Sequence, residues 1–401
     1  MIRICAIPFR RINLAHGRLR PDIAFHLTNQ ASELDSDTMS DNILTNLQRQ
    51  FRSSGLQYSF GYGLGVLAQS GYEISKSRKP QLDVIHIVDK PVEFHRQNAA
   101  RFPKHYSSVI RLGDSALGWI QNFGAGVYFN PYVSMSDGSG GESVVKYGII
   151  SSQRALMDLR EWTTLYIAGR LQKPVKHLFH LNDALKLANE YNLECALNLS
   201  LLIILSRQGS NFISCSQLFN QVALISYMGD PRMIIGGENP NKVQNIVKKQ
   251  LPFFKSLYRE ALEKAISKGY VVEAKGFYCA TLGINSAVRL VADLPRTYKK
   301  RFLNTFKNKH GRVLEQDMVL LNFLAGKTLE NYDSSSLPAD LNCSYIETVL
   351  HDSLSKRALV ATILGIIAYP AFAQSMKGIL TAGVTKSAKY AWEKKLKSLG
   401  S

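Results

Sequence analysis

The sequence predicts a mixed α/β domain, then a mostly helical region, then a basic amphipathic C-terminal helix. Three patterns carry this expectation. Up to about residue 180, short β-branched or alternating runs interleave with helical ones, as in a sheet covered by helices. Beyond about residue 181, helical periodicity dominates. At the end, Leu380, Val384, Ala388, Trp392, Leu396 and Leu399 fall on one side of a helical wheel, with Lys386, Lys389, Lys394 and Lys397 mostly opposite. The chain has 401 residues, 45% hydrophobic and 20% charged, so it can bury a sizeable core without disulfide or metal staples. The expected boundaries are 38–180 for the α/β domain, 181–350 for the helical domain and 351–401 for the C-terminal segment.

Taken in order, Met1–Arg20 carries five arginines and no acid before Asp22, and it lacks the continuous apolar core of a secretory signal. Residues 1–20 therefore read as a mitochondrial transit peptide. Residues 21–40 are polar and linker-like, and Ile43, Leu44, Leu47 and Phe51 have helical spacing. Leu56, Tyr58 and Phe60 alternate as a half-buried strand that runs into Gly61-Tyr62-Gly63-Leu64-Gly65-Val66. Leu82–Val88 reads as a buried strand with Asp83 near its start. Helices are expected around 104–120 and over 155–170 and 183–206, with strands at Gly124–Asn130 and Ser143–Ser151. Pro240 and Lys242–Lys249 start a helix, and residues 253–268 form another. Residues 331–340 read as a loop. The longest apolar stretch, Ala358–Ala373, has 16 residues. A membrane span needs about 20, so a buried helix is expected there.

The formal net charge of +18 favours polyanionic partners: nucleic acid, nucleotides or an anionic membrane surface. Residues 351–401 hold eight Lys and Arg against two acids. Membrane contact is expected through Lys386, Lys389, Trp392, Lys394, Lys395 and Lys397, with Lys395 snorkelling from the apolar side. The five cysteines are scattered without a C-x-x-C pair and the nine histidines are dispersed, which gives little support to zinc or thioredoxin-type chemistry. A reducing, intracellular compartment is the simplest reading.

A strand that ends in closely spaced glycines, followed about 20 residues later by a strand carrying Asp83, admits three readings. In a nucleotidyltransferase site, the glycine turn lets backbone N–H groups approach nucleotide phosphates and the carboxylate holds Mg²⁺ against them. In a dinucleotide fold, Gly61 and Gly63 would open G-x-G-x-x-G, but Val66 replaces the third glycine and Asp83 opens its strand instead of closing it. The third reading is an ordinary glycine turn beside a satisfied Asp. Lys146, inside an apolar strand, needs an anionic partner. Arg170 and Lys173 cluster where the 155–170 helix would end, suiting either the helix dipole or phosphate clamping. Asp230 and Arg232 share a turn and could simply pair with each other. Gly378–Ser387 approaches a phosphate-binding loop but has two extra residues before Lys386 and no preceding strand.

At these residues the sequence resembles a known family. The runs F-G-Y-G-L-G-V (60–66), Q-L-D-V-I (81–85), H-Y-S-S (105–108), G-A-G-V-Y-F-N-P (124–131), K-Y-G (146–148), L-Y-I-A-G-R-L-Q-K-P-V-K (165–176), S-Y-M-G-D-P-R-M (226–233), G-G-E-N-P-N-K-V-Q-N-I-V (236–247) and the tail from 378 to 398 carry the resemblance. They resemble the mitochondrial translocator assembly and maintenance family, matrix-side phosphatidate cytidylyltransferases, with fungal members most similar in the tail. The resemblance implies a nucleotidyltransferase-type α/β (α+β) domain, a helical winged-helix-like domain and a membrane-binding C-terminal helix. It implies a peripheral protein on the matrix face of the inner membrane that uses Mg²⁺, CTP and phosphatidic acid to make CDP-diacylglycerol for phosphatidylglycerol and cardiolipin.

Two departures stand out. Leu64 occupies the turn position where the family reads Ser, removing a hydroxyl that could bond a phosphate. Losing a hydrogen bond to a charged group costs about 1.5–3 kcal/mol. The position two after Asp83 is Ile85, so an Asp-x-Asp metal pair is absent and a second ligand must come from Asp89, Asp158 or Asp230, of which Asp230 is favoured. The expected site is thus Asp83 and Asp230 for metal, Gly61, Gly63, Leu64 and Gly65 under CTP, and Lys146, Arg170, Lys173 and Arg232 on phosphate charge. Nucleic acid is not expected as a partner, and homo-oligomerisation is left open. The rival readings are a nucleotidyltransferase acting on RNA and a non-enzymatic membrane-surface assembly factor for protein import.

Overall fold

The structure, a computed structural model, describes residues 44–45, 51, 55–67, 81–136, 142–179, 182–207, 212–230, 239–274, 277–280, 290–291, 293–310 and 353–382. All of them lie in one compact unit, Thr38–Ser401. The transit-peptide reading, the 331–340 loop, Arg232 and the basic residues from Lys386 to Lys397 fall outside the described residues.

Five strands form the main sheet: β1 (Leu56–Tyr62), β2 (Leu82–Val88), β3 (Tyr128–Ser136), β4 (Glu142–Ser151) and β5 (Lys176–Phe179), in spatial order β3-β4-β2-β1-β5. β2 and β4 run parallel, whereas β1–β2, β1–β5 and β3–β4 are antiparallel. The antiparallel β1–β2 pair removes the dinucleotide reading, which needs a parallel second strand reached through a helix.

Alternation along the strands divides the core. Tyr58, Phe60, Ile85, Ile87, Phe129 and Ile150 pack on the side of α3 (Ser152–Glu161) and the long α5 (Asp183–Arg207). Val84, Val145, Tyr147 and Ile149 face the other way, with Phe94 of α1 (Pro91–Arg101), Leu44 and Phe51. The helix expected around 104–120 is instead two 3₁₀ turns followed by α2 (Asp114–Asn122). Gly113, at φ +86°, separates them.

The expected 155–170 helix also breaks. α3 stops at Trp162, which adopts φ 52°, and only the short α4 (Ala168–Leu171) follows. Asp158 explains the break. Its Oδ1 accepts from the amides of Thr164 and Leu165 and from both threonine hydroxyls, and its Oδ2 accepts from the amides of Ile167 and Ala168. A carboxylate satisfying so many donors holds the chain in a tight non-helical loop.

Beyond the sheet come β6 (Phe212–Ser214), α6 (Cys215–Ile225), α7 (Lys242–Leu257), α8 (Arg259–Ser267) and the hairpin β7 (Val271–Ala274) and β8 (Phe277–Ala280). The second sheet has the order β6-β8-β7. Ser214 and Gln217 form a reciprocal capping box at the start of α6. α7 runs straight through Pro252, so the break expected near 250 lies at Tyr258 instead.

α9 (Arg296–His310) and α10 (Ser353–Ala382) complete the described fold. α10 is longer than the 16-residue apolar stretch, and within it Arg357–Gly378 is long and apolar enough to cross a membrane by length and composition. One face is nevertheless docked. Ala358, Ile363, Ile366, Ile367 and Ala373 are buried, Gln374 Nε2 donates to the Val127 carbonyl at 3.0 Å, and the Tyr298 hydroxyl of α9 donates to the Leu359 carbonyl at 3.0 Å. Leu364, Tyr369, Phe372 and Met376 form an exposed apolar stripe along the opposite face.

Candidate functional site

The site is built where β1 ends and β2 begins. The two strands are antiparallel, so Tyr62 sits opposite Asp83, and the parallel β4 places Lys146 opposite Asp83 on the other side. Asp83, Lys146 and Phe129 all project from the sheet face that carries α3 and α4.

The glycine turn wraps back over Asp83. Gly63 has φ +81°, a region closed to most side chains, and a Cβ there would stand 3.5 Å from Asp83 Oδ2. At Gly65 a Cβ would lie 2.3 Å from the Gln81 carbonyl oxygen, so the chain passes β2 at a distance that excludes any side chain. The amides of Val66 and Leu67 both donate to the Gly63 carbonyl, at 3.1 and 2.9 Å, which closes the turn. Leu64 is half-buried at its apex.

Around Asp83 the charges are mixed. Lys146 Nζ lies 3.9 Å from Asp83 Oδ1, and Gln81 Nε2 donates to the same oxygen at 3.2 Å. Lys146 also sits 4.4 Å over the Phe129 ring. Arg170 is clamped between aromatic faces. Its guanidinium carbon is 3.8 Å from the Tyr166 ring centre and 5.1 Å from that of Tyr62, and Nη1 donates to the Tyr166 carbonyl at 2.6 Å. The Asp158-braced loop supplies Tyr166 and sets the start of the α4 turn that carries Arg170. Burial pushes the Tyr62 hydroxyl up, Arg170 and Lys146 pull it down, and Asp83 and Tyr166 push it up. All four groups therefore act electrostatically on the Tyr62 hydroxyl, and Arg170 also stacks on its ring.

A second basic group adjoins the first. Lys173 Nζ donates to the Ser226 hydroxyl and to the Gly169 carbonyl and stands 5.2 Å from the Tyr227 ring centre. Lys242, the first residue of α7, is 5.6 Å from the same ring. Burial, with Arg170 and Lys242 nearby, pushes the Lys173 ammonium down to about 7. β5 then brings Lys176 opposite Gly61.

Of the candidate metal ligands, Asp89 lies at the far end of β2, bonded to Gln57 and Ser152, and Asp158 is consumed by its loop. Asp230 is buried at the turn after α6, its amide donating to the Tyr227 carbonyl at 3.3 Å, on the Lys173 side of the site. Among the described residues no three His, Cys, Asp or Glu side chains converge. Asp83, a lone carboxylate on β2 beside the glycine turn, is the kind of oxygen donor that Mg²⁺ takes when its remaining ligands are substrate oxygens and water.

Sequence reasoning did not single out Tyr62, Phe129, Tyr166, Ser226, Tyr227 or Lys242. Each falls in one of the distinctive runs, but that Tyr62, Phe129, Tyr166 and Tyr227 lie under cations, that Lys242 is one of those cations and that Ser226 accepts from Lys173 depends on contacts the linear sequence does not display.

Residues 44–397 match the family described as "Phosphatidate cytidylyltransferase, mitochondrial". A Saccharomyces cerevisiae protein of that description is 32% identical over 93% of this chain and 74% of its own length. A Schizosaccharomyces pombe protein of the same description is 32% identical over 89% of this chain and 83% of its own. One from Xenopus laevis is 34% identical over 88% of this chain and 93% of its own.

Proposed function

The chain belongs to the mitochondrial phosphatidate cytidylyltransferase family, and we propose that it transfers the cytidylyl group of CTP to phosphatidic acid, giving CDP-diacylglycerol and pyrophosphate. The observation that carries the reading is the convergence of the glycine turn, Asp83, Lys146 and Arg170 at one end of the sheet.

The triphosphate lies over Gly61–Gly65, where absent side chains let backbone amides approach. A Mg²⁺ bound with CTP would be held by Asp83, with Asp230 as the second candidate, and would neutralise charge on the phosphates. Lys146 and Arg170 neutralise phosphate oxygens, joined by Lys173 and by Arg232, which lies outside the described residues. Stacking on Tyr62 and Tyr166 restricts the Arg170 guanidinium, so little freedom is lost on binding. The phosphate of phosphatidic acid attacks the α-phosphorus in line and pyrophosphate leaves. A phosphomonoester loses its second proton near pH ~6, so the nucleophile needs no strong base. Catalysis is mainly positioning and charge neutralisation.

The lipid substrate calls for a bilayer surface. The exposed stripe on α10 and the basic run Lys386–Lys397 with Trp392 support a peripheral seat on an anionic membrane, the matrix face of the inner membrane in the mitochondrial setting its relatives' descriptions name. The order short strand, helices and hairpin in β6–β8 supports a winged-helix-like second domain after a nucleotidyltransferase-type first.

The test is formation of CDP-diacylglycerol from CTP and phosphatidic acid in mixed micelles with Mg²⁺, on this chain and on Leu64→Ser. Product from either confirms the transfer. No product from both, with each protein folded and lipid-bound, would overturn it.

A further inference from the structure

A lipid substrate is met at a bilayer, with the site turned towards it. Over α9 the chain carries six Lys and Arg and no acid, and Arg296, Lys300 and Arg301 among them are exposed. Arg301 Nη1 donates to the Gly365 carbonyl of α10 at 3.3 Å. Gly365 is itself exposed, beside Leu364 and one turn before Tyr369, so it lies within the apolar stripe that continues to Phe372. Arg301 therefore borders that stripe, with Lys300 next to it in the chain.

The same stretch of α10 touches the site. Gly229, in the turn after α6, has φ +77°, and a Cβ on it would stand 3.0 Å from Leu364 Cα and 3.1 Å from the Leu364 carbonyl oxygen. Backbone thus meets backbone at this point. Three residues earlier, the Ser226 hydroxyl accepts from Lys173. Three residues reach at most about 11 Å, so the partner of Lys173 and the Leu364 edge of the stripe are close neighbours.

We propose that α9 and α10 together form the face that sits on an anionic bilayer, and that phosphatidate passes from bilayer to site along the Leu364–Gly229 edge. Lys300 and Arg301 meet the headgroups, and Leu364, Tyr369 and Phe372 enter the apolar side of the interface. The inference rests on the cytidylyl-transfer reading and deepens it, adding to the basic tail a second, folded source of cations and giving the lipid an entry point. α10 lies in the interface and does not cross it. Its other face is held by Gln374 and Lys377, whose buried side chains donate to carbonyls of the α2–β3 connection. Surrounding the whole helix with lipid would strip those groups of their partners. The phosphate reaches the site at the depth of the headgroups, so the acyl chains stay in the bilayer.

The test uses the full chain and the double variant Lys300→Gln, Arg301→Gln, both exposed positions, with thermal melts to show that the two proteins fold alike. The variant should lose about tenfold in affinity for vesicles of phosphatidylcholine with phosphatidylglycerol, while binding to phosphatidylcholine alone stays within about twofold. Turnover of phosphatidate embedded in the anionic vesicles should fall with it, and turnover of dioctanoyl phosphatidate in solution should not. The basic tail is intact in the variant, so the loss belongs to α9. Equal binding of anionic vesicles by both proteins, or no preference for them in wild type, would overturn the seat. Equal vesicle binding with self-association lost in the variant, read by sedimentation, would give the face to a second copy instead. A vesicle-borne phosphatidate with a diazirine on its acyl chain reads the entry edge. Labelling of the peptides that contain Leu364 or Gly229 supports it, and labelling confined to other peptides would remove it. If neither protein makes product yet the variant still loses anionic vesicles, the transferase reading falls and the seat stands. Product from both with equal vesicle binding is the reverse.

Discussion

Asp83 and Lys146 are adjacent in space because β2 and β4 run parallel in matched register, with Nζ and Oδ1 3.9 Å apart. Both side chains are partly exposed, so the pair does little for stability and is available to substrate. Asp83→Asn should therefore leave the unfolding midpoint nearly unchanged while lowering kcat by about a hundredfold, read by CDP-diacylglycerol formation beside a urea melt. Leu64 makes the opposite prediction. Restoring a hydroxyl with Leu64→Ser should raise kcat/KM for CTP by about ten- to a hundredfold, as one added bond to a charged oxygen allows. An unchanged value would mean that the turn holds phosphate through its backbone alone. These residues were legible in the sequence because strand alternation and glycine spacing are local signals. Tyr62, Tyr166 and Tyr227 were not, since an aromatic residue in an apolar run looks like core until the cation that stacks on it is known.

The loop between α3 and α4 shows how one carboxylate outweighs helix propensity over several residues. The 155–170 pattern is periodic enough to predict one helix, but Asp158 offers four amides and two hydroxyls a better partner than the helix would. Asp158→Ala should leave those buried donors unpaired, cost about 3 kcal/mol in chemical denaturation, and loosen Tyr166 and Arg170 enough to raise the KM for CTP. Asp158→Asn should be intermediate, since an amide nitrogen would face donors at one of the two oxygen positions. Strands β1, β2 and β4 fell close to their expected bounds because each is a buried apolar run with turn residues at its ends. α1 carried no such signal. Its sequence P-V-E-F-H-R-Q-N-A-A-R is polar, and it is held by Phe94 in the core and by the buried His95 and Asn98, which bond the Tyr106 hydroxyl. On α10, Tyr369 and Phe372 are 63% and 58% exposed. Placing a charge there with Phe372→Asp should weaken flotation with anionic liposomes without lowering turnover of dioctanoyl phosphatidate in solution.

Across the whole molecule, α10 links the parts, touching α9, α5 and the α2–β3 connection through its docked face. The apolar stretch Ala358–Ala373 suggested a buried helix, and periodicity could not reveal that polar side chains fix its docking. Lys377 is fully buried and donates to the carbonyls of Gln121 and Phe123 at 2.9 and 3.1 Å. Burial, assisted by Arg154, pushes its ammonium from 10.5 down to about 7. Because the folded pKa lies below the unfolded one, the unfolded chain holds a proton that the folded chain lacks between those values. Stability contributed at this position therefore rises with pH across that window and is flat below about 7, where both states are protonated. The gain should be about 2 kcal/mol between pH ~7 and ~9, at roughly 1.36 kcal/mol per unit once the folded group is neutral. Lys377→Met should abolish this slope while keeping most of the packing, since the side chains are similar in length and Met adapts to irregular gaps. Urea denaturation of both proteins across that pH range measures the difference. Parallel slopes would show that the Lys377 ammonium stays charged inside the fold, held by its two carbonyl partners, and that the α10 docking does not respond to pH.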